Sequence, residues 1–220
     1  MLPAVTLAAD SCTALALSGG GANGAWEVGV LWGLYHYGDP QDFAYDVITG
    51  VSAGSINTIA TAGWAPEDGV AMSQYLSDLT GSIVNSDVWV EWPLGLVDGA
   101  VMKPGLLNDG PLFNFLREQL AAFPEGYKRR VTLAAVNVET GEYTTFDQTN
   151  TNFFDLPHAA VSSSSIPFVF PPHVWPGRGT FMDGGTVWNI NIDSAIQQCL
   201  EIVDDPSKIT VDVIICGSPP

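Results

Sequence analysis

The stretch Gly50-Val51-Ser52-Ala53-Gly54 sets a serine midway between two glycines, the G-x-S-x-G spacing of an elbow that holds a hydroxyl on a strained strand-to-helix turn. So short a pattern recurs by chance, and its weight comes from context. Val47-Ile48-Thr49 before it reads as strand, and residues 56–60 after it read as helix. A serine hydroxyl attacks an ester carbonyl only when a base takes its proton. The common order of serine, acid, histidine finds no histidine after Asp183, and the three histidines present (His36, His158 and His173) leave Ser52, Asp155 and His173 as the triad to be considered. Asp183 is the other candidate base, set between the apolar pair Phe181-Met182 and the pair Gly184-Gly185. Burial raises a carboxyl from its ordinary ~3.9 toward neutrality, and within about 2.6–3.2 Å of a hydroxyl it can act as a general base.

An acyl intermediate also needs donors for its oxyanion. Gly19-Gly20-Gly21-Ala22-Asn23-Gly24 follows a β-compatible run at residues 13–17 and precedes a helical one. Successive glycines let backbone N–H groups converge at the positive end of a helix, which stabilises a pyrophosphate or a transient oxyanion alike. The loop satisfies G-x-G-x-x-G, but a dinucleotide site also wants an acid closing the second strand about twenty residues on. Here Asp46 begins that run and Gly-Val-Ser ends it, which disfavours a dinucleotide. A Walker A phosphate loop is excluded by the missing Lys-Ser/Thr pair.

These residues need a scaffold, and the chain supplies strand, glycine turn and helix twice within its first sixty residues. Over residues 25–37 the apolar positions Trp26, Val30, Leu34 and Tyr37 form a helical stripe, and Gly29 and Gly33 are expected to admit a neighbouring element, so that this helix is buried on two sides. Residues 66–79 are predicted helical, with Pro66 in the first turn and Val70, Ala71, Tyr75 and Leu79 forming one apolar side. Residues 81–108 lose periodicity and read as a long excursion. Asp109 then caps a helix with Pro111 in its first turn and Leu112, Phe115, Leu116 and Leu120 inward. Residues 131–138 and 143–146 make a hairpin. A helix over 156–165, a proline-rich stretch over 166–172, a run Thr180-Phe181-Met182 leading into Asp183, a helix over 192–203 and a strand over 209–215 complete the chain. Strands alternate with helices, so the class is α/β with a mainly parallel sheet flanked by helices.

The composition sets limits. Of 220 residues 46% are apolar, and 7 Lys plus Arg against 24 Asp plus Glu give a net charge of -17. Seven cations spread from Lys103 to Lys208 make no patch to neutralise phosphates, which excludes nucleic acid as a partner. Seven Trp, ten Phe and six Tyr argue against disorder. The length fits a single domain, expected over 12–220, with 1–11 an N-terminal extension or signal remnant, and an end just after a strand is also compatible with a truncated domain. No run reaches the roughly 18 uninterrupted apolar residues of a spanning helix, which predicts a soluble protein. Cys12, Cys199 and Cys216 show no CxxC or His-paired spacing, which implies neither a zinc site nor a disulfide framework; they read as three buried thiols, with one disulfide plus a free thiol as the alternative. The scarcity of Lys leans toward an extracellular or vacuolar protein. Nothing in the sequence sets an oligomeric state.

In this order, the loop (Gly19, Gly20, Gly21, Ala22, Gly24), the elbow (Gly50, Ser52, Gly54) and Asp183-Gly184-Gly185 resemble the patatin-like phospholipase family. In that family a G-G-G-x-R/K-G loop forms the oxyanion hole, a G-x-S-x-G elbow carries the nucleophile, and D-G-G/A supplies the other half of a Ser-Asp dyad. Residues 160–172 resemble its A-S-x-A-x-P-x-x-F-x-P segment, and the resemblance runs from residue 12 to the end. It implies a three-layer α/β/α fold and lipid acyl hydrolysis through an acyl-serine, with Ser52 attacking, Asp183 as base, the N–H groups around Gly20, Gly21 and Ala22 as oxyanion donors, and no metal or cofactor. Asn23 stands where the family carries Arg or Lys, and Ser18 where it often has an acid. Neither change touches a backbone donor, but both bear on substrate preference. The implied substrate is a lipid or other acyl ester met at a membrane or micelle surface. A net charge of -17 is repelled by anionic surfaces. Neutral or zwitterionic lipids are therefore expected, with docking by apolar contact through residues 81–108 and their Trp89 and Trp92. A Ser-His-Asp esterase and an inactive α/β module are the alternatives.

Overall fold

The structure, a computed structural model, describes residues 9–93 and 95–216; residues 1–8, within the expected N-terminal extension, lie outside it. The elements are, in order, β1 (Cys12–Leu17), α1 (Gly24–Tyr37), β2 (Val47–Val51), α2 (Ala53–Thr61), α3 (Gly69–Ser82), α4 (Asn85–Val88), α5 (Gly95–Val101), α6 (Gly110–Leu120), β3 (Arg130–Asn137), β4 (Tyr143–Asp147), α7 (Leu156–Ser164), β5 (His173–Trp175), β6 (Gly179–Asp183), α8 (Ile192–Leu200) and β7 (Ile209–Ile214). The opening strand, turn, helix units form as their spacing predicts. The excursion at 81–108 is less irregular than expected, because α4, α5 and a bridge between Val90 and Asn108 organise it.

The sheet is mixed, with most strands parallel. β7, β1, β2 and β3 lie side by side and parallel. The edge of β3 decides the rest. Ala134 pairs with Val51 at the end of β2, and the next residue, Ala135, pairs with Asp183 at the end of β6. The same two residues pair with Thr145 and Thr144 of β4, so β4 holds the opposite edge and β2 and β6 share one. On that shared edge β2 runs parallel to β3 and β6 antiparallel, and the two strands meet end to end. β5 adds antiparallel to β6.

Alternation along the strands feeds both faces. Cys12 and Ala14 of β1 pack with Val47, Ala195, Cys199 and Val203 under α8. Leu15 and Leu17 pack the other way, with Val28, Leu31, Tyr35, Ile48 and Met72 of the α1 and α3 side. Val131, Leu133 and Ala135 of β3 meet the apolar stripes of α6 and α7. Helices thus cover both faces, the three-layer α/β/α arrangement expected. No described helix is long and apolar enough to cross a membrane.

Three expectations are corrected. α1 buries Gly24, Glu27, Val28, Leu31 and Tyr35, while Trp26 and Tyr37 are exposed, and a Cβ on Gly29 or Gly33 would meet no neighbouring element within 4 Å. This helix is apolar nearly all round, so periodicity could not choose its inner face, and the choice fell to the face carrying Glu27. In α3 the buried residues are Gly69, Met72, Ser73 and Leu76, a face turned away from the predicted set. Finally, Cys12 on β1 and Cys199 on α8 form a disulfide, leaving Cys216 as a buried free thiol. A sequence separation of 187 hides it, since the packing of α8 on β1 is what brings their Cα atoms to 5.6 Å.

Candidate active site

β2 ends in the elbow. Ser52 has φ 53° and ψ -122°, one of two non-glycine residues at positive φ among those described. Such a conformation costs on the order of 1–3 kcal/mol and persists only where its surroundings enforce it. The flanking glycines permit it by close approach: a Cβ on Gly50 would lie 2.2 Å from the Gly54 carbonyl oxygen, and one on Gly54 2.6 Å from that of Leu17. The Ser52 N–H donates to Ser163 Oγ at 2.9 Å.

The head-on meeting of β2 and β6 brings Asp183 to Ser52. Asp183 is buried; its N–H donates to the Ser165 carbonyl at 2.9 Å, and its Oδ1 accepts from the Gly185 N–H at 2.7 Å. The end of α7 and the residue after it therefore hold both halves of the pair, Ser163 the serine and Ser165 the aspartate. Oδ2 is buried without a hydrogen bond from any described residue. Burial raises the Asp183 carboxyl above its ordinary value, opposed by the nearby Ser52 side chain and by the Gly185 N–H. Gly184 lets the chain turn away under β3, where a Cβ would sit 2.4 Å from the Ala134 carbonyl oxygen.

Third comes the glycine loop. The Gly19 N–H is committed to the Asn189 carbonyl at 3.0 Å, and Asn189 Nδ2 returns a bond to the Gly19 carbonyl at 2.9 Å. A Cβ on Gly19 would strike Asn189 Oδ1 at 2.2 Å and Ser52 Cβ at 2.9 Å, so this glycine is a spacer, not a donor. Gly24 is also a spacer, packed on Ala53. The N–H groups of Gly20, Gly21 and Ala22 have no acceptor among the described residues. On the far side Asn23 Nδ2 donates to the Cys216 carbonyl, and Cys216 N–H to Ser18 Oγ, both at 2.9 Å. Asn23, where the family carries a cation, thus ties the loop to the chain beyond β7.

A cavity of about 500 Å³ joins these parts, lined among others by Gly19, Gly20, Gly21, Ser52, Asp183 and Gly185, with Ile166 and Pro167 as an apolar wall. Behind it, Asn57 of α2 donates to Glu27 Oε2 at 2.9 Å and to the Gly24 carbonyl at 3.0 Å, joining the helix that follows the loop to the helix that follows the serine. Glu27 is 0% exposed, and burial pushes its carboxyl up to about 7 against the favourable Asn57 bond. Asn189, Ser163, Asn57 and Glu27 were not found from sequence. Only Glu27, an acid on an otherwise apolar helix, carried a signal.

The histidines do not join. His158 and His173 face each other, Nδ1 to Nε2 at 2.9 Å, and burial together with that neighbour lowers His173 to about 4. His36 bonds the Trp32 carbonyl, and none of the three lines the cavity. Asp155 sits exposed at the start of α7. The alternative triad is therefore not assembled. Asp46 accepts from the Thr13 N–H and helps fasten β1, so the acid a dinucleotide site requires at the end of β2 is missing. No group of three His, Cys, Asp or Glu able to hold a metal occurs among the described residues.

A mixed sheet flanked by helices that delivers an elbow serine and a buried carboxyl to one glycine-lined cavity defines a class of three-layer α/β/α proteins. Within it, the family model described as patatin-like phospholipase matches residues 15–196, and the chain belongs to that family. Among solved structures it is similar to VipD from Legionella pneumophila, with 13% identity and a TM-score of 0.48 over 93% of this chain and 50% of that one. The chain thus spans half the length of that relative. No curated protein matches it.

Proposed function

We propose that the protein is a lipid acyl hydrolase of phospholipase A type, acting through a Ser52-Asp183 dyad. The observation that carries this reading is the single cavity where a serine on a strained turn, a buried carboxyl with an unengaged oxygen and a loop with uncommitted N–H groups meet. Ser52 Oγ attacks the ester carbonyl carbon as its proton passes to Asp183, and the oxyanion accepts from the N–H groups of Gly20, Gly21 and Ala22. Collapse expels the alcohol, which takes the proton from Asp183. Water then attacks the acyl-serine with Asp183 again as base, releasing the fatty acid and restoring Oγ–H. A carboxyl whose proton affinity is raised by burial suits both halves of the cycle. Ile166 and Pro167 offer the acyl chain an apolar wall. The substrates are neutral or zwitterionic lipids, in keeping with the net charge of -17. The Cys12–Cys199 disulfide supports an oxidising compartment, in line with an extracellular or vacuolar location.

Hydrolysis of a short-chain p-nitrophenyl ester and of phosphatidylcholine, compared across wild type, Ser52→Ala, Asp183→Asn and His173→Ala, tests the assignment. Loss in the first two variants with retention in the third is expected. Substantial activity in Asp183→Asn together with loss in His173→Ala would move the base role to histidine and sink the dyad.

A further inference from the structure

The second non-glycine residue at positive φ is Phe168, at 70°. It follows Ile166 and Pro167 of the cavity wall, and its side chain is 86% exposed. A bulky residue at positive φ is strained, and here the strain holds an aromatic ring out in water, where burial gives nothing back. Two bonds enforce it: the Leu106 N–H donates to the Phe168 carbonyl at 3.0 Å and the Leu107 N–H to that of Val169 at 2.9 Å. The partner segment is the end of α5 and its connection to α6, which expose Val101 (73%), Met102 (75%) and Leu106 beside Lys103, the latter lying over the Trp92 ring. Trp92 itself is half-buried and donates to the Gly105 carbonyl, so this tryptophan, expected at the surface, braces it instead of forming it. Charge sets this face apart. Residues 99–108 and 166–172 contain no Asp or Glu in a chain with 24 of them, and they carry one cation, Lys103.

We infer that Phe168, with Val101, Met102 and Leu106, forms a docking face that enters a neutral or zwitterionic lipid surface, Lys103 standing at headgroup level. This deepens the acyl hydrolase reading and rests on it for its purpose: apolar insertion of a face continuous with the cavity wall delivers the acyl ester to Ser52. A locally acid-free apolar patch allows an anionic protein to approach lipid, which a patch of average composition here would not. The test is flotation with phosphatidylcholine vesicles, carried out on Ser52→Ala protein so that no hydrolysis is involved. Added Phe168→Asp or Met102→Asp is expected to weaken partitioning by about tenfold or more, with the thermal midpoint kept within a few degrees. Partitioning equal to the parent in both variants overturns the inference, as does a parent that does not bind. Self-association of the parent that Phe168→Asp abolishes, without vesicle binding in either, assigns the face to a second copy and also overturns it. Failure of the enzymatic reading is distinct: wild type that binds vesicles but cleaves neither lipid nor soluble ester leaves the docking face standing.

Discussion

At the scale of single residues, the cavity is built from groups that each work against stability. Ser52 holds positive φ, and Asp183 keeps a buried oxygen unengaged. A carboxyl whose folded value is raised contributes stability that is complete below its unfolded value and is lost as pH rises through the folded one, so ionisation of Asp183 weighs against the fold. Asp183→Asn is therefore predicted to lower turnover by about 10²–10⁴ while leaving the thermal midpoint at pH 7 equal to or above wild type. Ester kinetics and a melt on the same sample check it; a clear fall in midpoint contradicts the account. Gly19→Ala forces a methyl against Asn189 and Ser52, and a loss of about 10² in kcat, as for a displaced oxyanion donor, is expected.

At the scale of elements, the site is a problem of register. Ser52 and Asp183 are 131 positions apart in the sequence numbering. They meet because Val51 and Asp183 pair with consecutive residues of β3. The motifs themselves were readable, since G-x-S-x-G and the glycine loop are local requirements of a tight turn, and the elements around them had clear spacing. The partners that hold the motifs were not: Asn189, Ser163 and Asn57 act across elements, and single polar residues in loops and helices leave no periodic trace. Ser163→Ala removes the acceptor for the Ser52 N–H and is predicted to lower kcat more than it raises KM, which steady-state kinetics on a soluble ester resolve. Glu27 binds a proton more tightly folded than unfolded, so its stabilising contribution, complete below about pH 4.5, is lost as pH rises through about 7. Glu27→Gln keeps an acceptor for Asn57 and is expected to be more stable than wild type above pH 7, with the difference shrinking toward acid. Parallel stability curves would contradict the assignment.

At the scale of the molecule, the disulfide and the charge set conditions of use. Cys12–Cys199 closes a separation of 187 residues and clamps α8 to β1, the face of the sheet away from α1. A cross-link over so long a loop restricts the unfolded chain by about 3–5 kcal/mol in the entropy view. At roughly 2–4 °C per kcal/mol for a domain of this size, reduction should lower the midpoint by on the order of 10 °C. Scanning calorimetry with and without reductant checks this, and an unchanged midpoint argues against the bond. The net charge of -17, which argues against nucleic acid, bears also on the proposed lipid surface through the acid-free segments 99–108 and 166–172.

The central claim, that Ser52 is a nucleophile activated by Asp183, is tested most directly by intact-mass measurement after exposure to a fluorophosphonate, since an unactivated serine does not react at useful rates. One adduct per chain, on Ser52, is predicted for wild type and for His173→Ala, with none on Ser52→Ala and labelling slowed by at least about 10² in Asp183→Asn. Labelling of Asp183→Asn at the wild-type rate, or no labelling of wild type, contradicts it.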